Sequence, residues 1–180
     1  DSASRGLGDV YKRQIGATMW HPFDHQRGYH PDPFWGGIMD AYRQPKFSYY
    51  LLKSLMPSSG LENVPNVDAE PFVFIAHLMT PFSPEDVVVF TNCDEVRLYA
   101  YDKEIGTMKS TSSASPVPRI PVVFKDIYRY VDARNKNKKD YGKINQKYNK
   151  NATLKAEGII KGEVVAEHVR WPVGRKHRIM

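Results

Sequence analysis

Cysteine is almost missing from this sequence. The single thiol, Cys93, cannot close an internal disulfide, so the fold has to be held by packing and hydrogen bonding. One cysteine leaves the redox compartment open, since many exported bacterial proteins also lack disulfides. Long hydrophobic runs are missing too. Stretches such as Val87 to Phe90 fall far short of the roughly 18 apolar residues that a spanning helix needs, so no membrane span is expected. The amino-terminal residues lack the charged-then-apolar pattern of a secretory signal, and no repeat recurs at solenoid spacing. Glutamate is locally absent: none occurs from Ile15 to Ser54, which excludes a pair of glutamates doing acid and nucleophile work within that stretch.

What is present is a globular composition. With 41% hydrophobic and 12% aromatic residues, 180 residues suffice for one large domain or for a small domain plus part of another. The net charge of +6 comes from 26 Lys and Arg against 20 Asp and Glu, and the excess is local. Arg134, Lys136, Lys138, Lys139, Lys143, Lys147 and Lys150 face a single nearby acid, Asp140. A solvated, lysine-rich insertion accounts for this run better than a nucleic-acid surface, because phosphate binding needs a shaped groove as well as charge.

Residues 1–14 show no hydrophobic period, and Asp9-Val10-Tyr11-Lys12-Arg13-Gln14 resembles the translation of a sequencing-library adapter. Native sequence is therefore expected to begin near Ile15, with an upstream part missing. Ile15 to Trp20 is a short apolar run that reads as a buried strand. It feeds a loop, His21 to Gly37, dense in His, Pro, Asp and Gly. A helix is expected next: Pro45 suits its first turn, Phe47, Tyr50, Leu51 and Leu55 recur at helical spacing, and Pro57 ends it. A lone strand–helix unit cannot cover both faces of its strand, so residues 15–56 imply the neighbours of a larger α/β domain.

Residues 57–70 shift to Ser, Gly, Asn and Pro and read as a linker. From 71 to 180 the apolar segments are short and β-rich: Phe72 to Ala76, Val87 to Thr91, Val96 to Tyr101, Val122 to Phe124, Leu154 to Ile160 and Glu163 to Trp171. Val96, Leu98 and Ala100 alternate with Arg97, Tyr99 and Tyr101, as a strand with one wet face requires. Tight turns are expected at Asn92 to Glu95 and at Lys161-Gly162. The expected class is α+β, with an antiparallel sandwich carrying a basic insertion at about 125–150.

The stretch GATMWHPFDHQRGYHPDPFWGGIMDAYRQPKFSYYLLKS, Gly16 to Ser54, resembles the end of the catalytic barrel in family 2 glycoside hydrolases, above all β-galactosidase-like members. VVVFTNCDEVRLYAYDKEIG and LKAEGIIKGEVVAEHVRWPVG are similar to the β-sandwich that follows that barrel. The resemblance implies that residues 15–56 are the final strand and helix of a (β/α)8 barrel and that an immunoglobulin-like sandwich follows. It also implies a retaining mechanism with two glutamates about 5 Å apart. Those glutamates belong to earlier barrel strands, so no catalytic residue is expected in this chain, which would be inactive alone. Export to the periplasm or cell surface is a further implication.

Several side chains then suit contact with a β-galactoside or related glycan, with no cofactor and no metal required. Trp20, at the carboxyl end of a barrel strand, offers an indole face to a sugar ring. His21, Asp24 and His25 offer donors and acceptors for sugar hydroxyls. Arg27 suits an acidic sugar, although a structural ion pair with Asp32 or Asp40 is the simpler explanation. His21, Asp24, His25 and His30 lack convincing metal-ligand spacing. A second reading is a non-catalytic carbohydrate-binding sandwich that stacks glycans on Tyr99, Tyr101 and Trp171.

Overall fold

A computed structural model describes residues 21–61, 63–65, 67, 69–110, 120–129 and 153–172. Trp20, with the strand expected at Ile15 to Trp20, lies outside the described residues, as do the adapter-like segment and residues 130–150 of the basic insertion. The chain divides into two compact units, one ending at Lys46 and one starting at Phe47.

The second unit is built from strands. β1 (Val73–Ile75), β2 (Val87–Thr91) and β5 (Val122–Phe124) form one antiparallel sheet in the order β1-β2-β5. β3 (Glu95–Ala100), β4 (Lys103–Lys109), β6 (Leu154–Ile160) and β7 (Glu163–Arg170) form a second, in the order β4-β3-β6-β7. β1 lies across from β6 and β7, so the two sheets make a β-sandwich. Its interior follows from side-chain alternation. Val96, Leu98 and Ala100 from one sheet meet Ile75, Val87, Val89, Val122 and Phe124 from the other, all nearly sealed from solvent.

Two hairpins set the register of the larger sheet. Lys161 and Gly162 both have positive φ, 52° and 87°, and join β6 to β7 through a two-residue turn whose twist matches the strands. Tyr101 and Asp102 do the same between β3 and β4, with φ of 56° and 65°. Asn92 to Glu95 is not a turn within one sheet. It is the crossing that carries the chain from β2 in one sheet to β3 in the other. The buried Asn92 side chain fixes this crossing: Oδ1 accepts the Phe72 N–H at 2.7 Å and Nδ2 donates to the Glu70 carbonyl at 2.9 Å. Cys93 is buried at the same place against Gly158, where an added Cβ would come within 2.6 Å of its sulfur.

The sandwich edge is closed by β7. His168 Nδ1 accepts the Ile75 N–H at 3.3 Å, and Arg170 Nε donates to the Ile75 carbonyl at 3.2 Å. Side chains thus satisfy the outward backbone groups of β1, which among the described residues is an edge strand with no strand partner on that side. Two residues beyond Ile75, the buried His77 closes a loop. Its Nε2 donates to the Pro84 carbonyl at 2.9 Å, its Nδ1 accepts the Met79 N–H at 3.0 Å, and its ring packs on Tyr128.

The helix α1 (Phe47–Lys53) is shorter than its sequence pattern suggests. Pro45 lies outside it, in a bridge with Met39, and Leu55 follows it in a turn. Tyr50 stacks on Phe74 of β1 with ring centroids 3.6 Å apart, and Phe47 meets the same ring edge-on at 5.9 Å. In the described residues 57–70 there is neither helix nor strand. After β5 the chain stays packed through Tyr128, which is buried, and Lys125 pairs with Asp86 at 2.5 Å.

Candidate functional site

The first unit, over residues 21–46, is a loop folded on itself by short bridges instead of regular elements. His25 and Phe34 exchange backbone hydrogen bonds, with Phe34 N to His25 O at 2.9 Å and His25 N to Phe34 O at 3.2 Å. Asp24 N donates to Met39 O at 3.0 Å, and Met39 N donates to Pro22 O at 3.0 Å. Three backbone segments therefore lie side by side around Asp24.

Asp24 is the anchor of this arrangement and only 4% exposed. Its Oδ1 accepts the Gly37 N–H at 3.0 Å and the Lys46 ammonium at 2.6 Å. Lys46 Nζ also donates to the Trp35 carbonyl at 2.9 Å. A carboxylate this enclosed needs such partners, because leaving a buried charge unpaired costs roughly 3–5 kcal/mol. Gly37 is required by space: a Cβ there would overlap the backbone of Phe23 and Asp24 and stand 2.7 Å from the Met39 carbonyl oxygen. Asp40 performs a similar service at the loop's far end, where its Oδ1 accepts the N–H groups of Tyr42 and Gln44, each at 2.8 Å. Arg43 beside it adopts φ 65° and lays its guanidinium over the Phe23 ring at 5.1 Å.

His21 and His25 are brought together. Their ring centroids are 4.6 Å apart, and both pack on Phe34, at 4.8 and 5.2 Å. Both rings are half-buried, and His25 Nδ1 donates to the Phe23 carbonyl at 3.3 Å. Arg27 reaches Asp32 through its carbonyl oxygen, to which Nε and Nη2 each donate at 3.3 Å. His30 Nδ1 accepts the Asp32 N–H at 3.1 Å in the same small turn. Of the residues expected to contact a glycan, His21 and His25 share one cluster, Asp24 lies in the clamp beneath the loop, and Arg27 braces a separate turn. Among the described residues no group of three or more His, Cys, Asp or Glu is placed to hold a metal ion.

Four residues that matter here were not singled out by sequence: Phe34, Trp35, Gly37 and Lys46. The run Pro33-Phe34-Trp35-Gly36-Gly37 is the signal that announces three of them, since aromatics before paired glycines mark a close backbone approach. Lys46 carries no local sign, because its partner stands 22 residues away.

The second unit displays a charged outer sheet face. Arg97 pairs with Glu157 at 3.4 Å, and Lys155 bridges Glu157 and Glu167 at 2.8 Å each. The Lys155 ammonium also stands over the Tyr99 ring at 5.6 Å. Tyr99, Tyr101 and Trp171 are all half-buried, and Tyr101 packs against the core.

Fold and site together define an antiparallel β-sandwich preceded by a clamped, aromatic-rich loop. No family model matches the chain. It is 29% identical, over 177 residues, to a β-galactosidase of Thermoanaerobacter pseudethanolicus, a match covering 92% of this chain and 21% of that protein. Among solved structures, a β-glycosidase from Bacteroides vulgatus matches with a TM-score of 0.60 and 20% identity, over 96% of this chain and 18% of the other. A β-glucuronidase from Parabacteroides merdae matches with a TM-score of 0.55 and 17% identity, over 91% and 18%. A β-glucuronidase described as belonging to glycoside hydrolase family 2 has a TM-score of 0.51 and 20% identity, over 79% and 11%. The chain resembles the family 2 glycoside hydrolases, and the protein it matches by sequence is a β-galactosidase. It spans about a fifth of the length of the curated relative it matches.

Proposed function

We propose that this chain is part of a retaining, β-galactosidase-like glycoside hydrolase, with residues 15–56 as the final strand and helix of a (β/α)8 barrel and the sandwich as the immunoglobulin-like domain that follows it in the chain. The observation that carries this reading is the β-galactosidase match extending over 92% of the chain. In the intact protein, one glutamate protonates the glycosidic oxygen and a second attacks the anomeric carbon, both supplied from outside these 180 residues. The part played by this chain is to shape one wall of the pocket. His21 and His25, packed on Phe34, present ring nitrogens toward sugar hydroxyls, and Trp20 and Arg27 are the further sugar contacts in this reading. Asp24 supports that wall from within, since its Oδ1 already holds Gly37 and Lys46. The substrate is a β-galactoside or related glycan, and the working location is the periplasm or cell exterior.

The full-length gene containing this segment tests the reading. Its product should hydrolyse an aryl β-galactoside with retention at the anomeric carbon, and the 180-residue chain alone should not. A full-length product that leaves aryl β-glycosides intact, or inverts them, refutes the proposal. A non-catalytic glycan-binding sandwich finds little support, because the three aromatics it would use are half-buried and one lies beneath Lys155.

A further inference from the structure

The geometry points to Trp35 as a sugar-stacking residue of the proposed glycosidase site, held in place by Lys46 acting as a positioning residue. This rests on the glycan-processing reading above and names a contact that the loop motif alone did not. Trp35 is 67% exposed, although large aromatic side chains are usually buried for most of their surface. Its exposure is not that of a loose loop tip. Immediately before it, Phe34 exchanges two backbone hydrogen bonds with His25. Its own carbonyl oxygen is held by Lys46 Nζ at 2.9 Å. Two residues later, the Gly37 N–H is fixed on Asp24 Oδ1, at a position where no Cβ fits.

The backbone carrying the indole is thus pinned before, at and after Trp35, and the last two restraints run through the Asp24–Lys46 pair, bonded at 2.6 Å. A flat apolar face presented from a rigid backbone loses little freedom when a ligand covers it. The ligand that suits such a face is a pyranose, whose axial C–H groups form an apolar patch while its hydroxyls stay in water. The indole Nε1–H adds one donor for a ring hydroxyl. Lys46 acts only through the backbone. Removing its ammonium frees the Trp35 carbonyl and strips Asp24 of its charged partner, which lets the platform move.

Indole N–H resonances of the 180-residue chain, labelled with nitrogen-15, provide the test. Trp171, in the sandwich, serves as the internal reference. Titration with methyl β-galactopyranoside should shift the Trp35 resonance saturably, with a Kd on the order of 10–100 mM for a single stacking face. Glycerol at equal concentration, a polyol without a ring face, should leave it in place. Trp35→Phe should retain binding when followed at Phe34 and His25, and Trp35→Ala should weaken it roughly three- to tenfold. Lys46→Met should weaken it by a comparable factor, and Lys46→Arg should restore it. A Trp35 resonance that ignores the sugar, or that glycerol shifts equally, overturns the assignment. So does a Trp35→Ala variant that binds as wild type does. Hydrolysis by the full-length gene product stands or falls separately, so a failure at Trp35 remains distinct from a failure of the glycosidase reading.

Discussion

Acid should loosen the sandwich through His168, and the size of the effect follows from its place at the sheet edge. Burial, and then the nearby Arg170 guanidinium, lower the His168 pKa from 6.5 to about 4. The geometry agrees, since Nδ1 must keep its lone pair to accept the Ile75 N–H at 3.3 Å. His77 is shifted in the same direction, chiefly by burial and also by Arg170, and its Nδ1 likewise accepts a backbone N–H, from Met79. The unfolded chain takes up the His168 proton near pH 6.5, whereas the folded protein resists it until about pH 4. Between these values the unfolded state binds more protons, so stability present above pH 6.5 is lost progressively as pH falls toward 4.

At about 1.4 kcal/mol per pKa unit, a shift of roughly 2.5 units sets a ceiling of about 3.4 kcal/mol for His168. The ring is only half-buried, and solvent screening reduces this to about 1–2 kcal/mol. Urea unfolding of wild type and His168→Asn at pH 7.5 and pH 4.5 isolates the contribution. Asparagine keeps an acceptor for Ile75 and does not titrate, so the variant should lose about 1–2 kcal/mol less on acidification than wild type. Equal losses in the two proteins would show that His168 is not held neutral by the fold.

Two further substitutions probe backbone requirements. Gly37→Ala forces a Cβ into the backbone of Phe23 and Asp24 and should loosen the loop by roughly 1–3 kcal/mol. Tryptic cleavage after Arg27 should then accelerate about tenfold or more, and an unchanged rate would mean that the bridges around Asp24 do not depend on that close approach. Lys161→Asn should stabilise the sandwich by about 0.5–1 kcal/mol, because Lys161 holds φ 52° and asparagine tolerates that conformation better in a two-residue turn before Gly162. Thermal unfolding reads that gain, and a lowered midpoint would contradict it.

Six of the seven described strands were legible because they are rich in β-branched or aromatic residues, and all of these but β7 bury apolar side chains in the core. The seventh, β4, was not. Lys103, Glu104, Gly106 and Lys109 break any apolar alternation, and nearly all of this edge strand faces solvent. Its turn was equally silent, since Tyr101 and Asp102 adopt positive φ without the Asn-Gly signal that usually announces it. The helix was legible in kind but not in extent. Its apolar spacing describes a face that packs on Phe74, whereas Pro45 is drawn into the loop's bridge with Met39. The loop showed its chemistry through His21, Asp24 and His25 but hid its mechanics, because the Asp24–Lys46 clamp joins residues that no local pattern connects.

That clamp changes what Asp24 can contribute. A carboxylate serving as acid or nucleophile needs an oxygen open to the reacting atom, but Asp24 is only 4% exposed and its Oδ1 holds an ammonium at 2.6 Å and an amide at 3.0 Å. Asp40 Oδ1 is likewise occupied by two backbone N–H groups. Asp32 is exposed, in a turn braced by Arg27 and His30 through its backbone. The aspartates of this loop therefore stabilise a shape, and the shape presents rings: His21 and His25 against Phe34, and Trp35 on a pinned backbone. A surface of imidazoles and an indole suits holding a sugar far better than cleaving one. In the enzyme proposed above, other segments are assigned the bond-breaking carboxylates, and the part assigned to this loop is to hold the sugar ring.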